Sequence, residues 1–210
     1  MDVRFVAALV IAFLLGSIPF AQIIAKLVAG VDLRKVGSLN VGARNLTATV
    51  GPAWGLVAGF LDFLKGVASI LLAKAVGVTF PAFLLGGAAA VVGHNWPVWL
   101  RFKGGKGLAT ALGVLAPLAF YEALAAFGVW IFVIRIWGNV IAASAAAVAT
   151  LLALLAWLGY PAEISFLVIG LVILVLLSAL PDMLERGRTT GSILNYLLDP
   201  ELLRSKPKTK

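Results

Sequence analysis

The strongest constraint on this chain is a series of apolar runs, each long enough to cross a lipid bilayer as a helix. The clear runs cover about 4–29, 53–74, 79–100, 139–158 and 162–180. About 20 apolar residues in a helix span the roughly 30 Å of bilayer hydrocarbon. Because 62% of the residues are hydrophobic and 12% are charged, the chain lacks the polar residues that a water-soluble exterior needs. We therefore predict an all-α, polytopic integral membrane helical bundle.

One more apolar stretch, 108–136, is either a single long helix or two short helices broken near Pro117. The positive-inside rule separates these alternatives, because short loops rich in Lys and Arg stay in the cytoplasm. A split stretch gives about seven transmembrane helices, N-terminus outside and C-terminus inside, with only Arg4 and Lys74 outside. An unsplit stretch would place Arg135 and the basic tail outside. The two halves are also short enough to enter the membrane and return where protein shields them.

No long soluble insert separates these runs, so we interpret residues 1–210 as a single integral membrane domain. Its sizeable non-apolar segments are about 30–52, 101–107 and the tail 181–210, and the predicted topology places all three in the cytoplasm. The net charge of +8 follows from this orientation and does not indicate a nucleic-acid partner. The chain has no cysteine and one histidine, so no ligand cluster predicts a metal or another cofactor.

The first cytoplasmic loop combines glycines with polar side chains in the segment DLRKVGSLNVGARNLTATVG, residues 32–51. Glycines allow a left-handed backbone and bring N–H groups close to a ligand. Hydroxyl, amide and guanidinium donors beside them suit a phosphate. The loop is also consistent with an ordinary turn-rich segment whose Lys and Arg residues only set the orientation of the protein in the membrane. Its candidate residues are Gly37, Ser38, Asn40, Gly42, Arg44, Asn45 and Thr47.

The second loop, within GHNWPVWLRFKGGKGLAT at 93–110, interleaves Lys103 and Lys106 with three glycines. Backbone donors and two ammonium groups can converge there on one anion, at the N-terminal end of a helix that starts near Leu108. It is not a Walker A loop, because no Ser or Thr follows the second lysine. The nearby His94 fits a hydrogen-bonded structural histidine as well as a functional one, and no base stands at triad spacing from Ser38. The three glycines are Gly104, Gly105 and Gly107.

Asp62 and Lys65 lie one helical turn apart inside the second apolar run, where ionisable side chains are costly and face the bundle interior. They either neutralise each other as an i,i+3 pair or brace a polar cavity that opens to the cytoplasm. Gly55 and Gly59, at small-xxx-small spacing, indicate close helix packing. Together with the two loops, these features predict a site for a phosphate-bearing substrate at the membrane surface. Spacing leaves open whether the phosphate is transported, bound or reacted.

Four segments resemble the bacterial acyl-phosphate:glycerol-3-phosphate acyltransferases of the PlsY type. They are LLGSIPFAQIIAK, VDLRKVGSLNVGARNLT, LDFLKG and VVGHNWPVWLRFKGGKGLATALG, in that order over roughly 14–181. The resemblance implies a seven-span bacterial inner-membrane enzyme with cytoplasmic motif loops. Such an enzyme transfers a fatty acyl group from acyl phosphate to the sn-1 hydroxyl of glycerol-3-phosphate, which gives lysophosphatidic acid and phosphate for phospholipid synthesis. It uses no metal or other cofactor, and its partners are these two substrates and membrane lipid.

The resemblance also implies roles for individual residues. Ser38 and Lys106 are the expected catalytic residues, because the protein must align the hydroxyl and stabilise charge on the carbonyl oxygen and the departing phosphate. A substrate phosphate oxygen is one candidate for the base. The expected substrate- and phosphate-binding residues are Gly37, Asn40, Gly42, Arg44, Asn45, His94, Lys103, Gly104, Gly105 and Gly107.

Three positions and one segment depart from the family pattern. Leu39 stands where a glycine is usual, Arg44 replaces a threonine, and Ala48 replaces an arginine whose role Arg44 can take over. After the last span, the family's Arg- and His-rich third motif gives way to SALPDMLERGRTTGSILNYLLDPE, which has no asparagine before Asn195. The alternatives are therefore a divergent relative with another acceptor or no activity, and a membrane transporter or lipid-binding protein. Oligomeric state and acyl-chain preference are open.

Overall fold

The structure is a computed structural model that describes residues 3–189, except the side chains of residue 140 and of residues 186–189. Within that range the chain is helical and contains no strand. A short 3₁₀ turn, Val98–Leu100, connects the fifth helix to the loop before the sixth. The helices are α1 Val3–Gly16, α2 Phe20–Ala29, α3 Ala43–Thr49, α4 Pro52–Ala75, α5 Phe83–Asn95, α6 Leu108–Leu115, α7 Phe120–Trp137, α8 Val140–Trp157 and α9 Ala162–Thr189.

Four stretches of the described chain are long and apolar enough to cross a membrane: Val3–Ala29, Pro52–Ala75, Phe120–Trp137 and Ala162–Glu185. A shorter apolar helix covers Ile141–Trp157. The remaining apolar runs form shorter helices than their lengths suggested. The 13 residues of α5 extend about 20 Å and the 8 residues of α6 about 12 Å, at 1.5 Å per residue.

The predicted break near Pro117 is confirmed, since α6 ends at Leu115 and α7 begins at Phe120. The first apolar run is also broken, between α1 and α2, which the sequence analysis treated as one span. Pro19 has no N–H to donate and disfavours helix at the residue before it. The Ser17 hydroxyl instead bonds the Phe13 carbonyl at 2.9 Å, so the end of α1 is capped within its last turn.

Glycines let the helices cross with their backbones in contact. Between α4 and α6, a Cβ on Gly66 would overlap the carbonyl oxygen of Thr110, and one on Gly113 would overlap that of Phe63. The crossing of α1 and α5 is built the same way, from Gly16 and Gly93. In lipid, helices associate through such close packing because the hydrophobic effect does not favour helix contacts over lipid contacts.

Gly55 packs against Thr47 of α3, and Gly59 faces Ala43 on the same short helix. The packing role predicted for these two glycines is therefore confirmed. These contacts hold α3, which carries the end of the first motif loop, against α4.

The described chain divides into two compact units. The first contains 3–118 and 169–178, and the second contains 119–168 and 179–189. In the first unit, α4 is central and packs on α1, α3, α5 and α6. In the second, α7 packs along α8, and Trp130 Nε1 donates to Ser144 Oγ at 3.3 Å. All residues of the candidate site described below belong to the first unit.

We expect Gly113→Ala to destabilise the protein, because the added methyl group overlaps the Phe63 carbonyl oxygen. Overpacking of this kind typically costs about 1–3 kcal/mol. Gly128→Ala is the matched control: Gly128 lies within α7 and a Cβ there meets nothing within 4 Å. Thermal unfolding in detergent should show a lower Tm for Gly113→Ala and an unchanged or higher Tm for Gly128→Ala. Equal Tm values for the two variants would contradict the close crossing of α4 and α6.

Candidate active site

A small cavity lies in the first unit, where the first span breaks between α1 and α2. Its polar wall consists of Ser17, Asp62, Lys65 and His94. The first motif loop contributes Val41, and the second contributes a pair of glycines at 104 and 105. A polar cavity inside an apolar helical bundle is the default position for a functional site.

Asp62 and Lys65 form a buried ion pair on α4, with Oδ1 and Nζ 2.8 Å apart and side chains 5% and 2% exposed. His94, at the end of α5, places its Nδ1 3.4 Å from the same Asp62 oxygen. Lys65 Nζ also donates to the carbonyl oxygen of Ile18 at 3.0 Å. Asp62 and Lys65 therefore neutralise each other and also line a cavity. That this cavity opens to the cytoplasm stays a prediction.

The second loop folds back onto the end of α5. Arg101 and Phe102 are consecutive left-handed residues with φ of 54° and 61°, which reverses the chain after the 3₁₀ turn. Gly104 N then donates to the carbonyl oxygen of Asn95 at 3.1 Å, and Gly105 N to that of His94 at 3.2 Å. A Cβ at Gly104 would overlap the His94 carbonyl oxygen, and one at Gly105 would overlap the His94 ring.

The N–H groups of Gly104 and Gly105 are thus bonded to backbone carbonyls, where the sequence analysis expected them to face an anion. The reason is the close approach of the loop to α5, which only residues without a side chain permit. Gly107, with a φ of 77°, precedes α6, and no side chain of the described residues caps that N-terminus. Lys103 is exposed and Lys106 is half-buried beside it.

Two contacts join the end of α5 and the second loop to the part of α9 that belongs to the first unit. Asn95 Nδ2 donates to the carbonyl oxygen of Leu174 at 3.1 Å. Ser178 Oγ donates to the carbonyl oxygen of Lys106 at 3.4 Å. The backbone at Lys106 is therefore supported from a neighbouring helix, and its side chain extends from a fixed point.

Asn45 organises the first motif loop. Its Oδ1 accepts from Ser38 N at 3.0 Å. Its Nδ2 donates towards the carbonyl oxygens of Leu33, Val36 and Asn40 at 3.1, 3.0 and 3.0 Å. Since both ends of this buried amide are bonded to the loop backbone, the structure gives Asn45 the geometry of a loop support.

The remaining residues of the first motif are placed around that support. Gly37 has a φ of 61° and lies against the Asn45 side chain, so a side chain at this position would be strained and crowded. Ser38 and Arg44 are exposed, and Asn40 is half-buried. Leu39 also adopts a left-handed conformation, with a φ of 61°. A left-handed conformation costs a residue with a side chain about 1–2 kcal/mol, which a glycine would not lose.

Arg34, at the start of this loop, is occupied by a local partner. Its guanidinium bonds the Asp32 carboxylate at 2.8 and 3.0 Å. This hydrogen bond holds the pKa of Asp32 well below its usual range. Both side chains are at the surface, so this pair stabilises the start of the loop. On α3, the exposed guanidinium is that of Arg44.

The structure brings His94, Gly104 and Gly105 together with Asp62 and Lys65 at one cavity. Among the first-loop candidates, none lines it; only their neighbour Val41 does. Sequence reasoning missed the cavity wall formed by residues 17–20. A signal was present, because Pro19 interrupts an apolar run that would otherwise form a continuous helix.

A family model described as glycerol-3-phosphate acyltransferase matches residues 6–184. The chain belongs to this family. It is 43% identical to the glycerol-3-phosphate acyltransferase of Aquifex aeolicus over 169 residues, which cover 80% of this chain and 87% of that protein. It is 44% identical to the enzyme of Desulforudis audaxviator over 153 residues, which cover 70% and 76% of the two chains. This chain is accordingly an acyltransferase.

The fold of this acyltransferase is similar to two crystal structures of PlsY, an integral membrane glycerol 3-phosphate acyltransferase. The glycerol 3-phosphate form superposes with a TM-score of 0.77 at 40% identity and covers 89% of this chain and 92% of PlsY. The lysophosphatidic acid form has a TM-score of 0.75 at 36% identity, with the same coverage. The chain is a multi-pass membrane protein built on this architecture.

We expect Asn45→Ala to loosen the first motif loop, because it leaves the Ser38 N–H and three carbonyl groups without their partner. Each buried polar group so exposed costs about 1–3 kcal/mol. Limited trypsin digestion at Arg34 and Lys35 should accelerate in the variant. Thr47→Ser is the control, since the serine keeps the hydroxyl that bonds the Ala43 carbonyl within α3. Unchanged cleavage in Asn45→Ala would contradict the supporting role of this side chain.

Proposed function

We propose that this acyltransferase moves a fatty acyl group from acyl phosphate to the sn-1 hydroxyl of glycerol-3-phosphate, with lysophosphatidic acid and phosphate as products. The relatives' name supports the acceptor, and the two PlsY structures are of glycerol 3-phosphate and lysophosphatidic acid forms. The observation that carries the proposal is the polar cavity enclosed by the broken first span, the buried ion pair and the second glycine loop.

The reaction requires positioning and charge stabilisation more than activation, because an acyl phosphate already carries a good leaving group. The acceptor oxygen forms a bond to the acyl carbon, the bond from that carbon to the phosphate oxygen breaks, and phosphate departs with the hydroxyl proton. Negative charge develops on the carbonyl oxygen and on the departing phosphate. We assign its stabilisation to Lys103 and Lys106 of the second loop and to the N-terminus of α6, which directly follows that loop.

In the first loop we propose that Ser38 takes part in catalysis and that Asn40 and Arg44 bind substrate, held by Gly37, Gly42 and Asn45. Arg44 and Ala48 both lie on α3 at i and i+4, so they occupy the same helical face. An arginine at 44 therefore reaches the region that an arginine at 48 would serve. This geometry supports retained binding of an anionic acceptor in spite of the altered motif.

The third motif is the remaining departure. Glu185 lies exposed near the end of α9, whereas Asn195 falls outside the described residues. We propose that the enzyme is active without the family's usual histidine there. If the altered motif changes the acceptor, a screen of acceptors should show a preference for a molecule other than glycerol-3-phosphate.

We further propose that the protein acts as one functional domain in the bacterial inner membrane, with seven crossings, the N-terminus outside and both motif loops in the cytoplasm. The distribution of Lys and Arg supports this orientation. This topology counts α1 and α2 as one crossing and assigns one crossing each to α4, α5, α6, α7, α8 and α9. Surface labelling of cysteines introduced at Lys35 and Lys74 tests it: the first should react from the cytoplasm and the second from outside.

We expect Lys106→Ala to reduce the acyl-transfer rate at least about 100-fold, because it removes a cation from a water-poor site where an oxyanion develops. The measurement is phosphate release from palmitoyl phosphate by protein in lipid, with and without glycerol-3-phosphate. Lys35→Ala, an exposed cation of the first loop, is the control and should retain activity. Near-wild-type turnover in Lys106→Ala would overturn the assigned role of this lysine. Absent acceptor-dependent release by the wild type would overturn the proposed function itself.

We expect Arg44→Ala to weaken use of glycerol-3-phosphate by about 10- to 100-fold in kcat/KM, the usual worth of a hydrogen bond to a charged group. Because positions 44 and 48 share a face of α3, adding Ala48→Arg should restore much of the loss. Arg34→Ala serves as the control, since Arg34 is paired with Asp32. Wild-type kinetics in Arg44→Ala would show that Arg44 does not bind the acceptor and only helps to orient the protein in the membrane.

A further inference from the structure

We propose that Asp62, Lys65 and His94 are positioning residues for acyl transfer, which hold the second motif loop and the break of the first span in one arrangement. These three side chains are called the buried brace below. The inference rests on the proposed function and assigns it residues that neither cationic loop contains. These three side chains can act in this way without touching the substrate.

The buried brace connects three separate parts of the first unit. Asp62 and Lys65 lie on α4, and their Oδ1 and Nζ are 2.8 Å apart. His94 approaches the same oxygen with Nδ1 at 3.4 Å from the end of α5. Lys65 Nζ reaches the Ile18 carbonyl oxygen at 3.0 Å, at the break between α1 and α2. One cluster thus fixes two walls of the cavity relative to α4.

Mutual neutralisation of charge does not explain the contacts that Asp62 and Lys65 make outside their ion pair. A buried pair that only cancels its own charge can be replaced by apolar side chains of similar volume with little loss of stability. In the buried brace, each member of the pair also contacts a group on another segment. Lys65 Nζ donates to the Ile18 carbonyl oxygen, and Asp62 Oδ1 lies 3.4 Å from His94 Nδ1. Removal of the pair therefore releases both segments, even where the fold survives.

His94 transmits the arrangement to the second loop. Its Nδ1 lies 3.4 Å from Asp62 Oδ1, and a carboxylate oxygen beside Nδ1 favours the tautomer that carries its proton on that nitrogen. The opposite nitrogen, Nε2, lies so close to Gly105 that a Cβ there would overlap it. Gly105 N in turn donates to the His94 carbonyl oxygen at 3.2 Å. The orientation of the ring and the path of the loop are consequently coupled.

The loop segment that rests on His94 is flanked by the two lysines assigned to charge stabilisation. Gly104 and Gly105 lie directly between Lys103 and Lys106 in the chain. A displacement of about 1 Å in such groups can lower a rate about 100-fold without removing any of them. We therefore expect loss of the brace to lower kcat, with smaller changes in the KM values.

Two charge-neutral double variants test this inference in full-length protein in lipid. Asp62→Leu/Lys65→Met removes every contact of the pair, whereas Asp62→Asn/Lys65→Met keeps an acceptor for His94 Nδ1. The assay is phosphate release from palmitoyl phosphate in the presence of glycerol-3-phosphate. We expect the Leu/Met variant to lose about 10- to 100-fold in kcat, with both KM values within about threefold. The Asn/Met variant should recover a large part of that loss.

If the Leu/Met variant does not fold, the single variant His94→Ala tests the positioning role, because it leaves the Asp62–Lys65 pair intact. Its kcat should fall by a similar factor. Wild-type kcat in His94→Ala, or in the Leu/Met variant, would overturn the inference while leaving the proposed function in place. Equal kcat values for the Leu/Met and Asn/Met variants would overturn the route through His94. Absent acceptor-dependent release by the wild type would overturn the proposed function, and the inference with it.

Discussion

The architecture of the site depends on one requirement of the membrane interior: a backbone carbonyl that leaves a helix must find a donor within the protein. The first span breaks before Pro19, and the Ile18 carbonyl oxygen is bonded by Lys65 Nζ at 3.0 Å. That contact draws a cation into the bundle, and the cation is neutralised by Asp62. A polar cavity therefore exists where the sequence of α1 and α2 would otherwise build an apolar core.

Glycine serves two different purposes around this cavity. At Gly66 and Gly113 it lets two helices touch backbone to backbone, which sets how closely α4 and α6 approach. At Gly104 and Gly105 it lets a loop lie on the end of α5 with its N–H groups bonded to carbonyl oxygens. Both uses require the absence of a side chain, so a glycine-rich motif does not by itself reveal whether its N–H groups face a ligand.

Much of the fold was predictable because lipid imposes simple rules on a chain. Apolar run lengths predicted an all-helical membrane protein, and the break near Pro117 followed from charge distribution. Local spacing also indicated the Asp62–Lys65 pair, since residues three apart share a helix face. The shortness of α5 and α6 was not predictable in the same way, because hydropathy does not report where helical hydrogen bonding ends.

The sequence by itself determined the chemical inventory: apolar runs for the bilayer, two loops that pair glycine with cations, and motifs that identify an acyltransferase family. Only the tertiary structure decided how that inventory is used. It assigned Asn45 to the loop backbone and joined His94 to Asp62 from another helix. The physical reason is that hydrogen-bond partners far apart in the chain are chosen by packing, and spacing along the sequence does not encode which of them will meet.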